Sequence, residues 1–395
     1  MLTTVDLPAI AGGRPMFEDL LPIALPEGLP ERSFLDDARR IMDSHRLTNA
    51  SFVRELEQAA AKFLDVPHCV AVSNCTTALM LVLRALNLHG EVIVPSFTFY
   101  ATAHAILWND LKPVFADCDP LTFCVDAESV RKRITSRTAA IVAVHVFGNP
   151  AEVRGLEEIA SNLSIPLVYD AAHAFGSSTE GVRIGGFGTA EVFSFSPTKL
   201  VVAAEGGLIA TRDASLARTL RAARNYGDAG TGDPNVVGLN GRMSEFHAAL
   251  ALRAIDSADR RIARRNEIRC RYENRLRPLP GLTFQTLPEG TSSSCKDFSL
   301  IVDGQQFGRS RDWLFQALRA EHIDVRRYFW PPVHRQKLYR DIWDGNPLPA
   351  TDSISDRVIS LPIYSSLGDA DVDKVCDAIR RAADFARMEP AGAAS

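Results

Sequence analysis

The stretch VFSFSPTKLVVAAEGGLIAT, Val192 to Thr211, decides how the chain is read. Its opening, Val192–Phe195, is a short apolar run with the length of a buried strand. Ser196-Pro197-Thr198 makes a turn, and Lys199 follows it. Small and apolar residues then lead through Glu205-Gly206-Gly207 to a second apolar run, Leu208–Thr211. Lysine is almost never fully buried unless it is paired or takes part in chemistry. Between two buried strands, with Glu205 as its only acidic neighbour in sequence, this lysine has its pKa lowered by desolvation, which makes the amine a usable nucleophile.

Upstream, the pattern alternates. Helices are expected over 33–44, 52–64, 76–86, 101–108, 127–134 and 153–163. Strands are expected over 68–73, 91–94, 113–116, 139–145 and 166–169. In the helix over 52–64, Val53, Leu56, Ala60 and Phe63 recur at spacings of three and four, which makes one apolar face. The strands are apolar throughout. Alternation of helices with continuously apolar strands predicts an α/β fold with a mostly parallel central sheet covered on both faces.

Downstream, Ser244 caps a long helix expected from Glu245 to about Tyr272, with Glu245 well placed in its first turn. Its arginines (260, 261, 264, 265, 269 and 271) read as a solvated face. Strands over 282–285 and 299–302 and helices over 313–321 and 370–385 suggest a smaller α+β domain. The expected organisation is a Pro- and Gly-rich lead-in (1–32), a large domain (33–255) and a small C-terminal domain (256–395), with a disordered tail MEPAGAAS.

The chain has 395 residues, 46% hydrophobic and 23% charged, with a net charge of −4. That is an ordinary globular composition, and the acidic balance argues against a nucleic-acid or membrane-surface binder. Neither a secretory signal nor an apolar run long enough to span a membrane is recognised. The seven cysteines are scattered, form no CxxC, and read as reduced core residues of a cytoplasmic protein. The histidines show no metal-ligand spacing, so no metal is expected.

Asp170 ends the strand over 166–169 and opens DAAHAFGSS. Ligands of open α/β sheets bind at the carboxyl ends of strands. Taken alone, Asp170 reads as a helix cap and Lys199 as a surface lysine. Together they suggest a site for pyridoxal 5′-phosphate, which needs a lysine for its Schiff base and an acid to keep the pyridine nitrogen protonated. Val72-Ser73-Asn74-Cys75-Thr76-Thr77, between a strand and a helix, offers a phosphate cradle. Ser194 adds a second hydroxyl at a strand end. Phe99 or Tyr100 could cover the ring.

These parts resemble the nucleotide-sugar aminotransferase family of pyridoxal phosphate enzymes (the DegT/StrS group). The resemblance runs from about Arg40 to Arg381. It is carried by the order of VAVSNCTTAL, VIVPSFTFYATAHAI, KPVFADCDPLTF, VYDAAHAFGSS, FSFSPTKLVVAAEGGLIAT, LNGRMSEFHAALAL and SLPIYSSL. It implies the fold type I of pyridoxal phosphate-dependent transferases, with Lys199 as the Schiff-base amine and Asp170 as the partner of the pyridine nitrogen. It further implies that His173 packs at the ring, Phe99 stacks on it, and Cys75, Thr76 and Ser194 contact the phosphate. Asn240 would reach the phosphate in a neighbouring subunit, so a homodimer with shared sites is implied. Tyr100, Arg242 and His334 are candidate substrate contacts. The expected reaction moves an amino group from L-glutamate or glutamine to a keto-sugar, a nucleotide-linked 4- or 3-keto-6-deoxy sugar of antibiotic or surface-polysaccharide biosynthesis. The alternatives are a keto-cyclitol acceptor, a sugar dehydratase and a catalytically silent cofactor-binding regulator. In the dehydratase branch a histidine replaces the lysine, so Lys199 disfavours that reading.

Overall fold

The computed structural model describes residues 7–26 and 31–388. Its first part alternates helix and strand: α1 Glu31–Ser44, α2 Ser51–Leu64, β1 His68–Val72, α3 Cys75–Ala85, β2 Glu91–Pro95, α4 Tyr100–Leu107, β3 Lys112–Ala116, α5 Ala127–Arg133, β4 Thr138–Val144, α6 Val153–Leu163 and β5 Leu167–Asp170. A small hairpin, β6 Ser178–Thr179 and β7 Val182–Arg183, precedes β8 Ala190–Ser194, β9 Gly207–Thr211 and α7 Ala214–Ala223. Then come α8 Glu245–Ile255, α9 Ala258–Leu276, β10 Leu282–Phe284, β11 Thr291–Ser292, β12 Phe298–Val302, α10 Gly304–Phe307, α11 Arg311–Ala320, α12 Pro349–Arg357, β13 Val358–Leu361 and α13 Asp369–Met388.

Seven strands form the central sheet in the order β1-β9-β8-β5-β4-β2-β3. All but β9 run parallel, and β9 pairs antiparallel with both β1 and β8. The strands are buried on both faces because helices cover each side, which is why they read as continuous apolar runs. The parallel strands end together at one edge of the sheet. The reversal of β9 brings its first residue, Gly207, opposite both Val72 and Ser194, the last residues of β1 and β8. One edge therefore gathers the strand ends, the start of α3 and the Lys199 turn.

The long helix expected from Glu245 is two helices, broken at Asp256-Ser257. The break lets α8 pack against α2 and α9 against α13. Ser244 caps α8 as expected, its Oγ accepting from Phe246 N–H at 3.2 Å. Glu245 does something else. Its buried carboxylate accepts from the N–H groups of Ala50, Phe52 and Val53 at 2.8, 2.8 and 3.1 Å, and so caps α2. Residue 50 is an alanine, which cannot cap its own helix.

Apart from the exposed Arg260, the arginines of α9 are not a solvated face. Arg261 and Arg265 are buried. Arg271 pairs with Asp373 at 2.6 Å and Arg275 with Asp377 at 2.7 Å, and Arg264 pairs with Asp369. The sequence shows one basic helix, whereas the fold lays the acidic helix α13 beside it.

A second sheet, β10-β12-β13, carries the C-terminal core with α9, α11 and α13. The lead-in belongs to this core. Phe17 and Leu21 are buried in it, and Leu21 exchanges backbone hydrogen bonds with His322 and Asp324 at 2.8 and 2.9 Å. A third small sheet pairs β11 with the β6–β7 hairpin. Cys270 is exposed and Cys75 half-buried, so not every cysteine is a core residue. The expected disordered tail falls, from Glu389 on, outside the described residues. Among the described residues, no helix is long and apolar enough to cross a membrane.

Candidate active site

A cavity of about 340 Å³ opens at the strand-end edge of the sheet, lined by Lys199, Asp170, Cys75, Thr76, Phe99, His173 and Ser194. Residues separated by more than a hundred positions meet here because β1, β5 and β8 deliver their last residues to the same edge.

Lys199 lies on the turn between β8 and β9. Burial pushes its pKa down to about 8; Lys296 adds to the shift, while Asp297, Cys75 and Asp170 oppose it. Glu205, the acid expected beside the lysine, is exposed on the cavity's rim. The acids that act on Lys199 are instead distant in sequence. Ala204, just before Glu205, takes a left-handed φ of 62°, a conformation glycine adopts more readily.

A neutral amine is the nucleophile, so the lowered pKa has a direct kinetic consequence. Lys199 Nζ in the cofactor-free protein should capture added pyridoxal phosphate with a rate constant that rises about tenfold per pH unit and levels off above pH 8. Stopped-flow absorbance between pH 6 and 10 reads this directly. A rise that continues past pH 10 refutes the desolvated amine.

Asp170 is the last residue of β5, and burial raises its pKa above the usual carboxylate range. Thr102 Oγ1 donates to its Oδ2 at 2.8 Å, and Ala172 N–H donates to its Oδ1 at 3.1 Å. Two neutral donors orient the carboxylate without neutralising it. A cationic N–H bound against it would restore its charged form.

The cap of α3 is Asn74, whose Oδ1 accepts from Thr77 N–H at 2.8 Å. The N–H groups of Cys75 and Thr76, in the first turn, have no intrahelical acceptor and point with the helix dipole toward the cavity end. This is an anion site of the kind phosphate prefers. Gly207 makes it possible. A Cβ there would sit 2.5 Å from Asn74 C and 2.7 Å from Cys75 N. Gly207→Ala should therefore destabilise the fold by about 1–3 kcal/mol and weaken cofactor retention. Thermal unfolding with and without pyridoxal phosphate tests both effects; an unchanged melting curve in each condition refutes the close approach. Ser194 Oγ lies 3.4 Å from Ser196 Oγ, so two hydroxyls face the same end.

His173 accepts from Phe147 N–H through Nδ1 at 3.2 Å, and burial holds its pKa well below the usual value. It is a neutral ring that packs near-parallel to Phe147 and Phe329, 6.2 and 6.3 Å away between centroids, while those two rings lie 5.6 Å from each other. Phe99 is half exposed, and its ring lies 4.0 Å from that of Tyr100. Tyr100 itself is not part of the cavity wall.

Asn240 and Arg242 lie outside this cavity. They line an adjoining cleft of about 410 Å³ that shares Asn74 and Glu205 with it. Arg242 Nε donates to Asn240 Oδ1 at 3.1 Å. His334 is corrected more sharply: it is fully buried and touches no part of the cavity. Its Nδ1 is 2.6 Å from Ser96 Oγ, and its Nε2 is 3.1 Å from Asp352 Oδ1. Its contacts with Ser96 tie the end of β2 to the segment that carries Tyr328 and Phe329.

The sequence reading missed Lys296 and Asp297, which line the cavity. In the segment Tyr328–His334, which resembles one that closes the sugar-nucleotide side, it singled out His334, whereas Tyr328 and Phe329 form the wall. Lys296 Nζ bonds Asp297 Oδ1 at 2.6 Å and lies 5.6 Å from the centre of the Tyr328 ring. The available signal was the adjacent pair of opposite charges just before the apolar strand FSLIV.

The set fits pyridoxal phosphate: a desolvated amine, an oriented buried carboxylate and an open helix N-terminus surround one cavity. Sheet and site together define a pyridoxal phosphate-dependent transferase of fold type I. The crystal structure of DesI in the presence of its TDP-sugar product is 37% identical, with a TM-score of 0.92 over 98% of both chains. That of Streptomyces DesV (S. venezuelae) in complex with a ketimine intermediate is 30% identical, with a TM-score of 0.85 over 90% of this chain and 95% of that one. The dTDP-4-amino-4,6-dideoxy-D-glucose transaminase of Escherichia coli is 34% identical over 91% of this chain and 98% of its own length. The chain belongs to the DegT/DnrJ/EryC1/StrS aminotransferase family, whose sequence pattern matches residues 30–380. It is an aminotransferase.

Proposed function

We propose that this transaminase moves an amino group from L-glutamate or glutamine to the keto group of a nucleotide-linked 6-deoxy sugar, with C4 as the first position to test. The observation that carries the reading is the convergence of Lys199 and Asp170 on one cavity beside the open N-terminus of α3. The choice of a nucleotide sugar is supported by the names of the Escherichia coli relative and of the DesI complex.

Bound in this cavity, pyridoxal phosphate supplies an aldehyde that takes up the amino group and a ring that withdraws electrons from the adjacent carbon. Lys199 Nζ is the amine that holds the aldehyde carbon. Once released by the amino donor, it would take up the proton of the donor's α-carbon and return it later in the cycle. Its lowered pKa suits it to both accepting and returning that proton near neutral pH. The carboxylate of Asp170 holds the proton on the pyridine nitrogen. The N–H groups of Cys75 and Thr76, with the hydroxyls of Thr76 and Ser194, take the phosphate. Phe99 would cover the ring, and the neutral His173 would pack at it without adding charge. Asn240, exposed in the neighbouring cleft, is assigned to the phosphate of a second subunit, in a homodimer with shared sites.

The purified protein should carry a visible cofactor band that glutamate bleaches. The bleached enzyme should then aminate dTDP-4-keto-6-deoxyglucose, as read by mass spectrometry of the sugar product. Amination of keto-cyclitols alone would overturn the sugar assignment. A band insensitive to both glutamate and glutamine would overturn the donor.

A further inference from the structure

Lys296 and Asp297 form an ion pair at 2.6 Å whose side chains are 6% and 5% exposed, and both line the Lys199 cavity. They come from the buried segment Ser293–Asp297, just before β12, and not from any strand end of the central sheet. The pair is only partly satisfied. Asp297 Oδ1 accepts from Lys296, but Asp297 Oδ2 is buried without a hydrogen-bond partner. His173 does not supply one. Its Nδ1 is 3.9 Å from Asp297 Oδ2 and already accepts from Phe147 N–H, so it carries no proton to give. A buried carboxylate oxygen without a donor is unfavourable unless a ligand provides one. An ammonium has three N–H donors, so Lys296 has donors left after its bond to Asp297.

We propose that Lys296 and Asp297 together read one hydroxyl of the amino acceptor, Lys296 Nζ donating to its oxygen and Asp297 Oδ2 accepting its proton. The inference rests on the proposed sugar substrate. Charge separates this role from recognition of the amino donor. Glutamate is a dicarboxylate with no hydroxyl, and its one amine is engaged at the cofactor. The charge of Lys296 is already balanced by Asp297, and the free Oδ2 repels a carboxylate. A sugar hydroxyl satisfies both groups at once, because it accepts and donates. A site built to bond a hydroxyl discriminates strongly against the analogue that lacks it.

The test separates the two half-reactions on the holoenzyme. Asp297→Asn replaces the acceptor by a donor. The double variant Lys296→Met/Asp297→Leu removes both charges and strands neither. Both charges act on Lys199, so the change in L-glutamate bleaching of the cofactor band in each variant is the reference against which the second half-reaction is read. Recovery of the band with dTDP-4-keto-6-deoxyglucose should fall by about 10- to 100-fold in kcat/KM, the range for one hydrogen bond to a charged group. Among analogues each lacking one sugar hydroxyl, one should lose a similar factor with wild type and lose nothing further with the variants. Equal losses in both half-reactions, or losses that multiply for every analogue, overturn the hydroxyl reading while wild-type turnover keeps the substrate assignment. A wild-type enzyme bleached by glutamate that no keto-sugar restores overturns that assignment and this inference with it.

Discussion

Lys199→Ala should lower turnover by at least about 10⁴-fold while leaving the fold in place. The amine sits where the β8–β9 turn crosses the edge of the sheet, and burial pushes its pKa down to about 8. It therefore combines two roles, covalent attachment of the cofactor and movement of the proton, and no other side chain offers the same pair. Lys296 is a similar amine in the same cavity, but its Nζ is engaged by Asp297 Oδ1 at 2.6 Å. Burial already works against the charge of Lys199, so its removal leaves no ion pair broken. The melting temperature should shift by a few degrees at most. Lys199→Arg should be equally inactive, since a guanidinium stays protonated at any working pH. The measurements are steady-state amination, the visible absorbance band and thermal unfolding. A Lys199→Ala protein that transaminates at the native rate refutes the assignment.

Asp170→Asn should bind cofactor through Lys199 and the α3 N-terminus yet turn over about 10²- to 10³-fold more slowly, the usual loss when one preorganised electrostatic contact is removed. The substitution keeps the shape and lets Asn Oδ1 go on accepting from Ala172 N–H, now 3.1 Å from Asp170 Oδ1. The Thr102 hydroxyl, which donates at 2.8 Å to Oδ2, can rotate to accept from the new amide. What disappears is the negative charge that keeps a proton on the pyridine nitrogen. The loss should appear in the proton-transfer phase of the glutamate half-reaction, with the cofactor band at full occupancy. An unchanged rate at full occupancy refutes the role.

Much of this was legible in the chain. The alternation of apolar strands with helices, the acid at the end of a strand and the lysine between two strands are local patterns, and each maps onto the structure within a residue or two. The helix N-terminus at the cavity was legible because a strand followed by Ser-Asn-Cys-Thr-Thr already describes one. His334 shows the limit. Its neighbours in sequence are aromatic and polar, as in a substrate-facing turn, but its ring is consumed by Ser96 and Asp352, more than two hundred and fewer than twenty positions away respectively. Nothing near residue 334 signals the first of these. Glu205 shows the same limit in reverse: it is close to Lys199 in sequence and exposed in space.

The sequence by itself determined the alternation of helices and apolar strands and the places of Asp170 and Lys199 at strand ends, because periodicity and the neighbours of a strand end are short-range properties. The order of its motifs carried the aminotransferase resemblance. The tertiary structure alone decided which charges act on Lys199. It brought Lys296 and Asp297 into the cavity, split the helix after Ile255, gave Glu245 to α2 and set the acids of α13 against the arginines of α9. Each of these is a pairing between distant segments. A buried charge takes its pKa and its function from whatever the packing places beside it, and that information is spread over the chain rather than held at any one position.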